Sequence, residues 1–377
     1  MKSSCAFSVS VYNAMLIYFM LHGLFLKMSN EKMIRASFVE QAGYCKNLGS
    51  PFTHDVLIAL SKILDQTTET GRRVLSWATD PAPKADALAL RLAGGFHALA
   101  LSQRNVAFSK WYAGAVDGDR KDFEDRLADA LQKEDLWLCE WLRFPPQTNE
   151  VARASIIYAG LCVIAQRFRL PLALYEMGCS GGLNLQAANF AYRVGDGVLG
   201  NPESELVLSP DWSGARPPHC DIAIVSRNGC DLNPLHVAQA DDRMKLMAYI
   251  WADQKDRLKR VRAAIEISRR DPPELVAMGA EKWVEKMLAG QQEDAGVRVF
   301  YSTIAWNYFP HHVKDSVQTQ IQTAGNMTDG QSPLVWLRFE FADDDSGPFL
   351  TLQTWPNGEE EVLASSDAHV KSIKWLL

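Results

Sequence analysis

The run LPLALYEMGCSGGLNL, residues 170–185, constrains this chain more than any other segment. A short apolar stretch that ends in an acid and then in glycines reads as a buried strand turning sharply at its carboxyl end. Further β-like runs follow it, IAIVS, LVAMG, VRVFYSTI, LVWLRFEF and FLTLQTW, separated by helix-like stretches. Strands that alternate with helices bury both faces of a parallel sheet, so the pattern predicts an α/β fold. ADDDSGP, between LVWLRFEF and FLTLQTW, is polar and turn-forming, which predicts a hairpin and an antiparallel C-terminal strand.

Upstream, from about Glu31 to Arg169, the apolar spacing is helical. Phe38, Ala42 and Cys45 recur at i, i+4 and i+7, and ALALRLAGGFHALAL continues the pattern. The expected organisation is an apolar segment over 1–30, a helical domain over 31–146, and a Rossmann-like sheet domain over 147–377 with an insertion at 189–220. That insertion has the Gly, Pro and Trp content of a long ordered loop or small hairpin, and such loops often act as lids.

At 377 residues, 47% hydrophobic and 22% charged, the chain has ample material for packed cores, which excludes disorder and disulfide-stapled miniproteins. Its 39 basic and 45 acidic residues leave a net charge of −6, so no global basic field draws it to nucleic acid, and a small-molecule partner is expected. Seven scattered cysteines without a C-x-x-C pair look like reduced thiols, which places the chain in the cytoplasm. The segment 6–26 would span about 31 Å as a helix, so a membrane anchor is one reading of it. The other is a translation start at Met28 or Met33, because Ser8, Ser10, Asn13, His22 and Gly23 interrupt the run and no small-x-small cleavage site follows.

The glycine turn carries the functional argument. Its glycines permit close backbone approach, and free N–H groups at a following helix start would attract an anion, worth about 0.3 to 1 kcal/mol from the dipole. A purely structural strand-to-helix turn is the plainer alternative. The dinucleotide fingerprint G-x-G-x-x-G fails, since Ser180 and Leu183 occupy its second and third glycine positions, and the Gly-Lys-Ser/Thr of a phosphate loop is absent. What remains, acid-x-G-x-S-x-G, resembles the first motif of class I S-adenosylmethionine-dependent methyltransferases, with Ser180 in place of a common glycine. An L-residue in left-handed geometry costs about 1 to 2 kcal/mol, so this turn is expected to be tuned differently. Downstream, IAIVS leads to RNGCDLNP, which resembles the segment after the second strand of those enzymes. The resemblance implies that Asp231 accepts the two ribose hydroxyls, a role that suits an acceptor-only carboxylate. Asp231 or Asn233 as a helix cap is the alternative. Asp231 lies 53 positions after Gly178, where about 20 is usual in α/β nucleotide sites, hence the inferred insertion.

From about Ala36 onward the chain looks like a member of the bacterial family catalogued as domain of unknown function 2332. SPFTHDVL, LRLAGGFHALAL, QTNEVARAS, EMGCSGGLNL, RNGCDLNPL, MAYIWADQKDRL and AHVKSIKW occur in that family's order. The resemblance implies a methyltransferase-type sheet, mostly parallel with an antiparallel C-terminal strand, and assigns no reaction. On this reading Glu176, Gly178, Ser180, Gly182, Asn184 and Asp231 hold S-adenosylmethionine. Glu150, Arg153, Asn307 and Tyr308 are candidates to face the acceptor, with Ser302 and Trp306 beside the last two. The Asn/Asp-Pro-Pro-aromatic motif of amino-methylating enzymes is absent.

Other polar residues have simpler readings. Thr148 or Asn149 would cap the helix that leads into the glycine strand, with Glu150 complementing its start. His97 and Arg91 sit in an apolar helical stretch, where a histidine is more often a bonded core residue than a catalyst. Lys255, Arg257, Lys259, Arg260 and Arg262 read as the solvated face of a helix whose apolar side is Leu258, Val261 and Ile265. His311-His312 and His219-Cys220 lack the spacing of a ligand set, so no metal is expected. Two rival functions are open. Gly178-Cys179-Ser180-Gly181-Gly182 also satisfies the G-x-S-x-G of a serine hydrolase, with His369 and one of Asp343, Asp344 or Asp345 completing the chain order. A non-catalytic ligand-binding protein on the same fold is the other.

Overall fold

The computed structural model describes residues 30–290, 296–328, 332–342 and 346–377. The apolar segment 6–26 and the acids Asp343 to Asp345 lie outside the described residues. Two compact units emerge. Of the described residues, one unit takes 30–146 together with Ala248–Lys255, and the other takes those of Gln147–Met247 and Asp256–Leu377.

The first unit is helical: α1 (30–47), α2 (Pro51–Ile63), α3 (Glu69–Leu75), α4 (Leu88–Ser102), α5 (Val106–Val116), α6 (Phe123–Lys133) and α7 (Asp135–Trp141). Side-chain caps at Ser50, Thr68 and Asn105 fix three of the starts. Its core contains Phe38, Ala42 and Cys45, the triad that set the helical periodicity, with Phe52, Leu92 and Phe96. His97 is a core residue: its Nδ1 lies 3.1 Å from the Ala248 carbonyl, and burial pushes its pKa down to about 4. The segment 248–255 is part of this unit. Tyr249 donates to the Phe144 carbonyl at 2.6 Å, and Asp253 accepts from the Ser50 hydroxyl and, at 2.9 Å, from the Phe52 N–H.

The second unit holds a nine-stranded sheet with helices on both faces and a separate three-stranded sheet. In chain order its strands are β1 (Leu172–Met177), β2 (Ala191–Val194), β3 (Gly197–Gly200), β4 (Val207–Leu208), β5 (Asp211–Ser213), β6 (Ile224–Asp231), β7 (Glu274–Ala277), β8 (Val297–Thr303), β9 (Leu334–Phe341), β10 (Pro348–Trp355), β11 (Glu360–Ser366) and β12 (Ser372–Trp375). The main sheet is ordered β5-β12-β11-β10-β9-β8-β1-β6-β7, and β7, β6, β1, β8 and β9 run parallel. Counting only these five, the spatial order is 3-2-1-4-5, the doubly wound arrangement whose switch point lies between β1 and β8. The antiparallel part exceeds one strand: β10, β11 and β12 form a meander, and β5 from the insertion adds to its edge, parallel to β12.

The remaining helices are α8 (Ala154–Phe168), α9 (Ala240–Ala248), α10 (Lys255–Arg270), α11 (Ala280–Ala289) and α12 (His311–Asn326). Helix α8 is apolar almost all round, and the window Val151–Phe168 is apolar and long enough to cross a membrane. It is instead 78% buried, as the central helix on one face of the sheet. Gly160 brings it down on Leu337 and Leu350, where a Cβ would stand 2.9 Å from Leu337 Cδ1. On the other face Trp283, Val284, Val317 and Ile321 from α11 and α12 pack on Met177, Cys230, Phe300 and Trp336.

One local expectation is corrected and one is extended. LNLQAAN forms a seven-residue 3₁₀ segment, not an α-helix, because β2 begins only two positions after Asn189 and leaves no room for further turns. The 189–220 insertion contains the small hairpin that is one of its two expected forms, β2-β3, and goes beyond it: β4 extends the hairpin to a separate three-stranded sheet, and β5 joins the main sheet.

Candidate functional site

Ligands of doubly wound sheets bind outside the carboxyl ends of the strands at the switch point. β1 reaches that edge at Glu176-Met177, where register pairs Glu176 with Gly229 of β6 and with Tyr301 of β8. Asp231 is two residues beyond Gly229, so strand alternation puts it on the same face as Glu176, one step further out. Met177 and Cys230 point the other way, into the core beneath α11 and α12.

The turn that follows is braced at nearly every amide. The N–H groups of Gly178 and Cys179 donate to the Cys230 carbonyl at 2.9 and 3.0 Å, and that of Gly182 donates to the Cys179 carbonyl. Ser180 N–H donates to Asp231 Oδ2 at 3.0 Å, and Leu183 N–H to Asn149 Oδ1 at 2.9 Å. Gly181 keeps the one amide of the turn without a partner among the described residues. The expectation of a row of free N–H groups for an anion is therefore wrong here: neighbouring oxygens already use them, and no α-helix follows to supply a dipole.

Three residues of the turn have positive φ: Gly178 at 69°, Ser180 at 53° and Gly182 at 64°. At Gly178 a side chain is excluded twice, by φ and by the Ala305 methyl 2.5 Å from where its Cβ would stand. Ser180 holds the left-handed geometry without glycine's freedom, so the strain anticipated from sequence is present in the fold.

The polar groups of the site are buried. Glu176 is 1% exposed, and its Oε2 accepts from the Tyr301 hydroxyl at 3.4 Å. Burial pushes its carboxyl up to about 8, which the Tyr301 hydrogen bond and the Arg153 charge oppose and Asp231 assists. Asp231 Oδ1 accepts the Asn233 N–H at 2.9 Å, so each of its oxygens holds one amide and retains a lone pair. Ser180 Oγ and both amide atoms of Asn184 are buried with no partner among the described residues. Such orphaned atoms at a strand edge fit a polar ligand. Burial also raises the Cys179 thiol well above its ordinary value, so it is no nucleophile at neutral pH.

The substrate-side candidates separate. Arg153 is tied to the fold: its Nη1 donates to the Thr303 carbonyl at 2.7 Å and its Nε to the Ala368 carbonyl at 3.1 Å. Asn307 and Tyr308 lie in a 3₁₀ turn after β8 and are exposed, Tyr308 at 82%. Glu150 is 2% exposed and caps its own helical turn through Ala152 N–H. Asn149 reaches across to the glycine turn rather than capping, and Glu150, not Thr148, is the cap residue.

Sequence reasoning missed the partners of Glu150. Its Oε2 lies 2.7 Å from Arg257 Nε and 3.2 Å from His369 Nδ1, with Arg260 3.9 Å from Oε1. Burial alone would raise this carboxyl, but the His369 hydrogen bond and the Arg257 charge outweigh it and hold it at about 2. Arg257, read as solvated, is thus a correction: a buried acid draws it inward to 13% exposure, while Lys259 stays in solvent. Among the described residues the hydrolase arrangement is not assembled, since Ser180 Oγ meets no base there and His369 is bonded to Glu150. Among the described residues no three His, Cys, Asp or Glu side chains gather as a metal-ligand set.

A family model described as "Uncharacterized protein conserved in bacteria (DUF2332)" matches residues 35–375. Neither a curated protein nor a solved structure matches the chain.

Proposed function

We propose that this chain, which belongs to that bacterial family of uncharacterized proteins (DUF2332), binds S-adenosylmethionine at the carboxyl ends of β1 and β6 and methylates a small-molecule acceptor. One observation carries the reading. The turn's amides are engaged inside the fold, while two carboxylates, Glu176 and Asp231, share one face of the strand edge. That arrangement disfavours a pyrophosphate and suits a phosphate-free nucleoside attached to a cation.

Asp231 would accept the ribose hydroxyls with its remaining lone pairs. Glu176, ionised, would face the positive methionyl end, and Ser180 and Asn184 would gain the partners they lack. S-adenosylmethionine supplies a methyl group on a positively charged sulfur. The chain's own part is to align the acceptor and exclude water, which the burial of Glu176, Ser180 and Asn184 favours. The six cysteines of the described residues are all free thiols, which supports a cytoplasmic setting. Nucleic acid is no part of this reading.

Thermal shift with S-adenosylmethionine, S-adenosylhomocysteine, NAD and ATP tests it. The first two are expected to stabilise, by about 2.7 kcal/mol at 100 times the dissociation constant, and the others are not. Asp231→Ala is expected to weaken S-adenosylhomocysteine about 30- to 150-fold in calorimetry, a loss of roughly 2 to 3 kcal/mol. Stabilisation by NAD or ATP alone, or unchanged binding by the variant, would overturn the proposal.

A further inference from the structure

Glu150 and His369 form a second polar centre at the same strand edge, on the β8 side of the switch point. Asn149 and Glu150 are consecutive, and they reach different ways: Asn149 to Leu183 in the glycine turn, Glu150 to His369. Arg153 closes the connection by joining the carbonyl of Ala368, next to His369, to that of Thr303 at the carboxyl end of β8. In register, Ser302 of β8 stands opposite Met177 of β1, so this centre flanks the glycine turn across from Asp231. Glu150 is clamped in turn by Arg257 and by the Ala152 N–H, which leaves it little freedom to release the imidazole. His369 directs Nδ1 at the carboxylate, its Nε2 has no partner among the described residues, and the side chain is 42% exposed. A buried acid that orients a half-open imidazole is the arrangement of a proton acceptor held in one tautomer.

We infer that His369 is the general base for the acceptor, taking a proton through Nε2 from a hydroxyl or amine substrate, with Glu150 as its positioning residue. This rests on the methyl-transfer reading above. The proton passes from the acceptor's O–H or N–H to Nε2, the pair it leaves forms the bond to the methyl carbon, and the methyl–sulfur pair returns to sulfur as a neutral thioether. Acceptors that lack a removable proton are outside this class.

The test uses the full chain with ¹⁵N-labelled histidine and S-adenosylhomocysteine as the probe. The His369 resonances are expected to report the Nδ1-protonated tautomer, and Glu150→Gln to convert them to a mixture. In parallel, S-adenosylmethionine labelled in its methyl group is incubated with a small-molecule extract of bacterial cells. His369→Ala is expected to bind S-adenosylhomocysteine as wild type does and to lose label transfer about 10²-fold or more. A wild-type Nε2-protonated tautomer, or label transfer that survives His369→Ala, would overturn the inference and leave the cofactor reading intact. Failure of the wild type to bind S-adenosylhomocysteine would overturn that reading and the inference with it. Binding without transfer to any acceptor would make the chain a ligand sensor and would also overturn the inference.

Discussion

The carboxylate of Asp231 accepts the backbone N–H of Ser180 at 3.0 Å, which joins the end of β6 to the turn after β1. The same bond helps to hold Ser180 in left-handed geometry, so the acid expected to grip a sugar also shapes the cradle beside it. A substitution at Asp231 therefore acts on both, and the turn needs variants that separate geometry from ligand contact.

Gly178→Ala is expected to cost about 3 kcal/mol, from 1 to 2 of backbone strain plus overpacking on Ala305. Adding Ala305→Gly should recover the overpacking and leave the strain. Ser180→Gly is expected to do the opposite, raising stability by up to about 1 kcal/mol, since glycine takes that φ freely at some entropic cost. Urea midpoints of the three variants check the signs.

Glu176 predicts a pH dependence. Its folded pKa of about 8 lies above the unfolded value of about 4.3, so the folded chain keeps a proton that the unfolded chain releases. Stability from this group is present in full below about pH 4 and is lost as pH rises toward 8. Glu176→Gln is expected to flatten this part of the urea profile. A cationic ligand would favour the ionised form, so binding near neutral pH should release a proton. Calorimetry in buffers of different ionisation enthalpy should detect that release in wild type and not in Glu176→Gln.

Arg153→Met should destabilise by about 2 to 4 kcal/mol, because two carbonyls lose a charged donor. Arg153→Lys should restore less than half, since an ammonium cannot serve the Thr303 and Ala368 carbonyls with one planar fork. Equal stability of all three proteins in chemical denaturation would contradict the structural role.

Ser180 is expected to resist fluorophosphonates. Its hydroxyl is buried and meets no base among the described residues, so labelling that vanishes in Ser180→Ala would restore the hydrolase reading.

Local chemistry made part of this legible. The apolar run before Glu176 and the glycines after it mark a strand and its turn, and RNGCDLNP marks the end of the neighbouring strand. Contacts between distant positions left no such trace. Glu150 and His369 are 219 positions apart, and no periodicity links them. Arg257 looked solvated because helical spacing counts apolar positions and cannot sense a buried acid nearby. The amides of the turn looked free because their acceptors, Cys230 and Asp231, arrive from another strand. Ala248 to Lys255 falls inside the sheet domain expected over 147–377, since nothing local distinguishes a segment that returns to an earlier core.

That return governs how the protein can be made. His97, Ser50 and Phe52 wait for Ala248 and Asp253, residues synthesised only after β1 and β6. The helical unit thus cannot finish folding as a nascent N-terminal piece, and a gene rearrangement that cuts near Pro146 would separate it from part of itself. Both units must be inherited as one.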